Sequence, residues 1–159
     1  MSEPAPNPGV RFPPPLIFLT GLGAGLALDR WLFEWLLVSQ SRAWWLDLHA
    51  AGFGLVAIWL IGSALGGFRR KGTDPRPWRE DSALVVDGIY RHTRNPMYVG
   101  MAMAYVAITL VLNTLWPLLT LGPVVFVIHH YVIGREEAYL HQRFGADYAD
   151  YCAKVRRWI

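Results

Sequence analysis

Apolar residues gather in long runs along this chain, and short polar stretches between them carry most of the charge. The first run, from about Leu16 to Val38, predicts a helix interrupted by Asp29, Arg30 and Glu34. Arg30 and Glu34 stand one turn apart on such a helix and suit a charge pair near an interface. A second run, from about Trp44 to Phe68, predicts another helix, with Trp44 and Trp45 in an interfacial belt and Arg69-Arg70-Lys71 as its stop. A third helix starts with Asn95 as its N-cap and Pro96 as its first residue, and continues to Leu112. After a short turn at Asn113-Thr114, a fourth runs from about Leu115 to Ile133, kinked by Pro117 and Gly122-Pro123. Helices three and four are thus expected to form a tight antiparallel hairpin. Gly21-x-x-x-Gly25 and Gly62-x-x-x-Gly66 each give a flat face on which helices one and two are expected to pair.

The polar stretches have patterns of their own. Residues 1–15 form a Pro-rich segment with little to bury, expected to be a flexible tail with Pro13-Pro14-Pro15 extended. Residues 72–95 are turn-rich, and Asp87-Gly88 between Val85-Val86 and Ile89-Tyr90 has hairpin chemistry. The tail from Glu136 predicts a helix that Gly145 breaks, followed by a shorter one. Tyr139, Leu140, Phe144, Tyr148 and Tyr151 form an apolar-aromatic stripe along it, suited to a helix lying on a membrane face or to a lid over a ligand.

Composition makes the long runs membrane spans. Apolar residues make up 53% of the chain, and a soluble core this small cannot hide so many. Seven Lys or Arg fall in residues 69–95 and five after residue 134, which fits four spans with both termini cytosolic. The expected fold is therefore an all-α integral membrane protein of about four transmembrane helices in two antiparallel hairpins, with residues 16–159 as one domain. One cysteine, Cys152, excludes an intrachain disulfide and a Cys-rich metal site. His129-His130 point in different directions on a helix, so no metal is expected. Leu16–Thr20 before Gly21-Leu-Gly-Ala-Gly25 passes for a strand, but no βαβ alternation follows and the Gln40–Trp44 turn lacks the acidic partner of a dinucleotide loop; the charge pattern is not that of a nucleic-acid footprint.

The candidate chemistry lies in two clusters that this topology puts at one face. One holds Tyr90, Arg94, Asn95 and Tyr98, and the other Arg135, Glu136 and Glu137. Aromatic faces attract a cation, a carboxylate holds an ammonium or a ribose, and a helix N-terminus favours an anion. S-adenosylmethionine carries all of these groups. An inter-helix ion pair between Arg94 and Glu136 or Glu137 is the equally weighted alternative.

Three spaced blocks point further. Leu84-Val-x-x-Gly88-Ile-Tyr90, then Arg94-x-Pro96-x-Tyr98-x-Gly100, then Glu136-Glu137-x-x-Leu140-x-x-x-Phe144-Gly145-x-x-Tyr148-x-x-Tyr151 resemble the isoprenylcysteine carboxyl methyltransferase and phospholipid methyltransferase superfamily. The likeness covers residues 82–157, the expected cofactor-binding half. It implies a membrane methyltransferase that takes S-adenosylmethionine without a Rossmann fold and acts on a lipidic or membrane-soluble acceptor. A phospholipid amine, a prenylcysteine acid and a small thiol all remain open as acceptors, as does a non-enzymatic scaffold or transporter subunit.

By position, the resemblance places Ser82, Ala83, Leu84 and Val85 on the adenosine side. Tyr90 would also contact the cofactor. Asn95, Pro96, Met97 and Tyr98 would approach its amino-acid part, and Glu136 would hold one of its polar groups. Arg94 and Glu137 are weak catalytic candidates, and His130 and Arg135 weak substrate candidates. Two positions depart from the family pattern. Asn95 stands where the family often has His. Val132 stands where the isoprenylcysteine branch has an Arg that reads the substrate carboxylate. The expected location is a bacterial inner membrane.

Overall fold

The computed structural model describes residues 7–38, 43–74, 76 and 83–159. Among the described residues five α-helices follow one another: α1 (Pro14–Trp31), α2 (Trp44–Lys71), α3 (Pro96–Leu112), α4 (Trp116–Val127) and α5 (Gly134–Lys154). A 3-10 turn at Gly88–Arg91 precedes α3, and a π-helical turn at Ile128–Ile133 joins α4 to α5 without a break. No strand occurs among the described residues, where Leu36 and Thr114 make a single antiparallel bridge. Trp44–Lys71 and Trp116–Phe144 are each long and apolar enough to cross a membrane.

Local chemistry sets the ends of these elements. Pro14 and Pro15 occupy the first turn of α1, where their missing N–H groups cost nothing, so the expected extended triplet survives only at Pro13. α1 stops at Trp31, short of the expected Val38. Glu34 is therefore off the helix, and the one-turn spacing to Arg30 no longer applies. Instead the Asp29 carboxylate accepts from the Trp35 backbone N–H at 3.3 Å and the Thr114 hydroxyl at 2.6 Å, pinning the chain beyond α1 to the turn after α3. Asn113 ends α3 in the left-handed conformation (φ 52°), which Asn tolerates better than most residues. Gly145 (φ 52°) breaks α5 where the sequence indicated. Gly88 takes φ 64°, yet the next residues close a 3-10 turn with Tyr90 N–H on Asp87 O at 3.3 Å, so the expected hairpin does not form.

The packing partners also differ from expectation. α1 packs antiparallel on α4, and α2 on α3. A Cβ at Gly25 would lie 2.5 Å from the Pro117 backbone, and one at Gly21 would run into Val124. Gly62 has nothing within 4 Å of such a Cβ. The small-residue face of α1 thus serves α4 rather than α2. Gly100 does the corresponding work for α3, where a Cβ would stand 2.7 Å from Ile61 on α2. The main core joins α1, α3 and the α4–α5 rod through Phe18, Tyr105, Val124, Ile128 and Val132, and includes Val10 from the N-terminal segment. That segment, α2's C-terminus, the start of α3 and α5 all gather at one end of the bundle.

Candidate functional site

The start of α3 organises that end. Asn95 occupies the cap position, but its side chain makes no capping bond. Its amide instead donates to the Arg157 carbonyl at 2.9 Å. Arg94 N–H donates to the Arg156 carbonyl at 3.0 Å, so the C-terminal segment is stitched along the loop before α3. Tyr151, in the second part of α5, donates its hydroxyl to the Tyr90 carbonyl at 2.7 Å.

Tyr98 lies one turn into α3 and reaches across to α5. Its hydroxyl donates to Glu136 Oε1 at 2.5 Å. Neighbouring residues diverge by about 100° around a helix, so Glu137 faces elsewhere. It meets Arg94 at 3.4 Å, with both side chains largely buried. Arg157 clasps the same carboxylate through Nε at 3.0 Å and through a terminal nitrogen on the other oxygen, a two-point arrangement only a guanidinium offers. Arg157 also contacts His129 Nε2 at 2.9 Å, and the Trp158 indole donates to His129 Nδ1 at 2.9 Å. The expected ion pair between Arg94 and a neighbouring glutamate is thus present, and Arg157 makes it a triad.

Tyr98, Arg94 and the two glutamates border one cavity. Tyr98, Glu136, Glu137 and Leu140 form one wall. Arg94, Asn95, Pro96 and Met97 form the lip of α3, and Ala83, Leu84, Val85 and Tyr90 close the loop side. Phe68, Tyr148 and Tyr151 add aromatic faces, and Pro8 covers one edge. Every cofactor candidate named from the sequence borders this cavity except Ser82, which lies outside the described residues. The two substrate candidates do not. Arg135 turns away to the Gly9 carbonyl at 3.1 Å and lies over the Tyr131 ring. His130 is exposed beside Phe126.

Phe68, Pro8 and Arg157 were not expected here. Phe68 ends an apolar run beside three cations, where it passes for ordinary helix packing. Neither Pro8 nor Arg157 belongs to a spacing that marks it.

The electrostatics are those of a site held in fixed charge states. Burial works against the Arg94 charge, but Glu137, Cys152 and Tyr148 outweigh it and leave its pKa above the ordinary value. Arg94 Nε is buried and has no hydrogen-bond partner among the described residues. Burial, reinforced by Glu137, pushes the Tyr148 phenol well up, and burial does the same to Tyr151. Both phenols therefore stay neutral hydrogen-bonding groups. Cys152 is half-buried against Arg94.

The phospholipid methyltransferase family model matches residues 48–147, from the first turns of α2 to just past the Gly145 break. The chain belongs to the phospholipid methyltransferase family. The matched span contains most of the cavity wall, and of the lining residues Pro8, Tyr148 and Tyr151 fall outside it. Among curated proteins, the chain is 27% identical over 132 residues to a protein-S-isoprenylcysteine O-methyltransferase of Dictyostelium discoideum, covering 80% of this chain and 54% of that protein. It is 36% identical over 76 residues to the protein of the same name in Schizosaccharomyces pombe, covering 48% of this chain and 32% of that protein. An uncharacterized protein of Haemophilus influenzae is 42% identical over 65 residues, which is its whole length and 40% of this chain. The chain therefore spans about a third to a half of the two named relatives. No solved structure matches.

Proposed function

We propose that this chain is an integral membrane methyltransferase that uses S-adenosylmethionine and methylates a lipidic or membrane-partitioned acceptor. The observation that carries this reading is the convergence of Tyr98, Arg94, Glu136 and Glu137 with several aromatic rings around one cavity, in a member of this family. The donor set fits the cofactor. Glu136, oriented by Tyr98, would hold its ammonium or a ribose hydroxyl. The unpartnered Arg94 Nε and the start of α3 would favour its carboxylate. Phe68, Tyr90, Tyr148 and Tyr151 would face its base and cationic sulfur, with Ser82 to Val85 on the adenosine side. When bound, S-adenosylmethionine supplies a methyl group open to displacement by a nucleophile.

The residues of this chain would contribute position and a dry, charge-matched enclosure rather than a reacting group. Glu137 is clamped between Arg94 and Arg157, a placement that suits a fixed positioning group. A carboxylate or thiolate acceptor requires no base. An amine would arrive already deprotonated or lose its proton to solvent.

One observation favours an amine or thiol over a prenylcysteine carboxylate. Val132 is fully buried in the core, at the position from which an arginine would read such a carboxylate. Arg135 is engaged elsewhere and does not replace it.

In the bilayer, α1, α2, α3 and the α4–α5 rod would make four passages with both termini cytosolic in a bacterial inner membrane. Accessibility of tags at the two ends checks this, and one end exposed on the far side would overturn it.

Calorimetry on detergent-purified protein tests the cofactor, followed by transfer of a labelled methyl group into a lipid extract. Binding by wild type and its loss in Glu136→Ala are expected. Equal binding by both, or none by wild type, sinks the reading.

A further inference from the structure

A second concavity lies on the opposite side of the 3-10 turn from the cavity, against the outward face of α2. Trp59, Ser63 and Arg70 line it from α2, and Ile89, Arg91 and His92 from the turn. The α2 residues share one stripe, since steps of four and seven residues return to the same side of a helix. Two glycines shape the space. Arg70 lies with one terminal nitrogen 3.4 Å from where a Gly66 Cβ would stand and the other 3.4 Å from that of Gly88. The guanidinium therefore bridges α2 and the turn over ground cleared of side chains.

The charge here is unbalanced. Asp87 bonds Lys71 at 3.2 Å and Arg91 at 3.5 Å, while Arg69 and Arg70 stand beside Lys71 at the end of α2. Among the described residues, Arg70 has no carboxylate partner. Below the groove, α2 turns Leu55, Ile58 and Trp59 outward, each at least 60% exposed. An apolar face directly beneath a cluster of cations, at the end of a helix long enough to span, matches the two halves of a lipid. Acyl chains lie along the apolar side chains, and a phosphate meets the guanidinium.

We infer that this groove is a binding site for one anionic phospholipid of the surrounding leaflet, with its phosphate on Arg70 and Arg91 and its chains along Leu55 and Trp59. The site is separate from the cavity, but it shares the turn that carries Tyr90. A lipid seated there braces that turn from behind. The inference rests on α2 crossing the bilayer and not on methyl transfer, so it stands or falls separately from the proposed activity.

The test is native mass spectrometry of full-length protein from micelles containing equal phosphatidylglycerol and phosphatidylcholine. Wild type is expected to retain one phosphatidylglycerol in preference to phosphatidylcholine. Arg70→Gln and Arg91→Gln are each expected to weaken that retention about five-fold, the factor for losing one basic residue near an anionic surface. Lys154→Gln, which removes an exposed charge on α5, is expected to leave it unchanged. Millimolar inorganic phosphate is expected not to displace the lipid, because it has no chains to bury. Retention blind to headgroup, equal loss in all three variants, or displacement by free phosphate would each overturn the inference. Unaltered melting temperatures for the variants show that any loss is local.

Discussion

Tyr98 and Glu136 set the character of the cavity through one short bond between two helices. Tyr98→Phe keeps the ring and removes the donor. A hydrogen bond to a charged group contributes about 1.5–3 kcal/mol, so S-adenosylmethionine affinity is expected to fall at least about ten-fold in calorimetry. Glu136→Gln is expected to cost more, because the cavity loses a charge as well. Arg157→Ala leaves Glu137 paired with Arg94 and frees the C-terminal segment from α5. Thermal unfolding is expected to show a loss of about 1–3 kcal/mol for this partly buried pair. Asp87 gives a pH signature. Its bonds to Lys71, then to Arg91, hold its pKa below the ordinary 3.8. A carboxylate lowered in this way stabilises the folded state above its unfolded value and loses that contribution as pH falls through the folded one. The stability gap between wild type and Asp87→Asn is therefore expected near neutral pH and to close below about pH 4. A gap that does not shrink at all as pH falls below the ordinary carboxylate value would show that the pairing is not its source.

Helix pairing depends on two glycine contacts with different partners. Gly25→Val drives a branched side chain into the Pro117 backbone and is expected to destabilise the α1–α4 pair by about 1–3 kcal/mol. Gly23→Ala, which meets nothing within 4 Å, is expected to be neutral, and the two melting temperatures in detergent compare them directly. The same positions show what was legible in the sequence. Pro96, Asn113 and Gly145 act through their own backbones, so the sequence alone places their breaks. Gly21-x-x-x-Gly25 announces a close approach but carries nothing about which helix approaches, and α4 rather than α2 takes the place. Asp87-Gly88 failed as a hairpin signal for a related reason. A positive φ at glycine serves several turns, and Tyr151 and Phe68, distant in sequence, engage Tyr90 in the 3-10 form.

Across the molecule, the spaced motifs brought the cavity lining into view because each block sits at the same end of the bundle. The latch of Arg157 on Glu137 stayed hidden, since the long stretch between them and the break at Gly145 leave no periodicity to read. The order of pairing has a further consequence during synthesis. Chains are made from the N-terminus, so earlier segments meet their surroundings before later ones exist. α2 and α3 can pair as soon as both have emerged. α1, with Asp29 and Arg30 near its far end, must wait until α4 arrives to cover its glycine face. In the proposed four-passage arrangement it would be an orphan in the insertion machinery between those moments, exposed to quality control, and substitutions in α1 would lower yield before they lower the stability of finished protein.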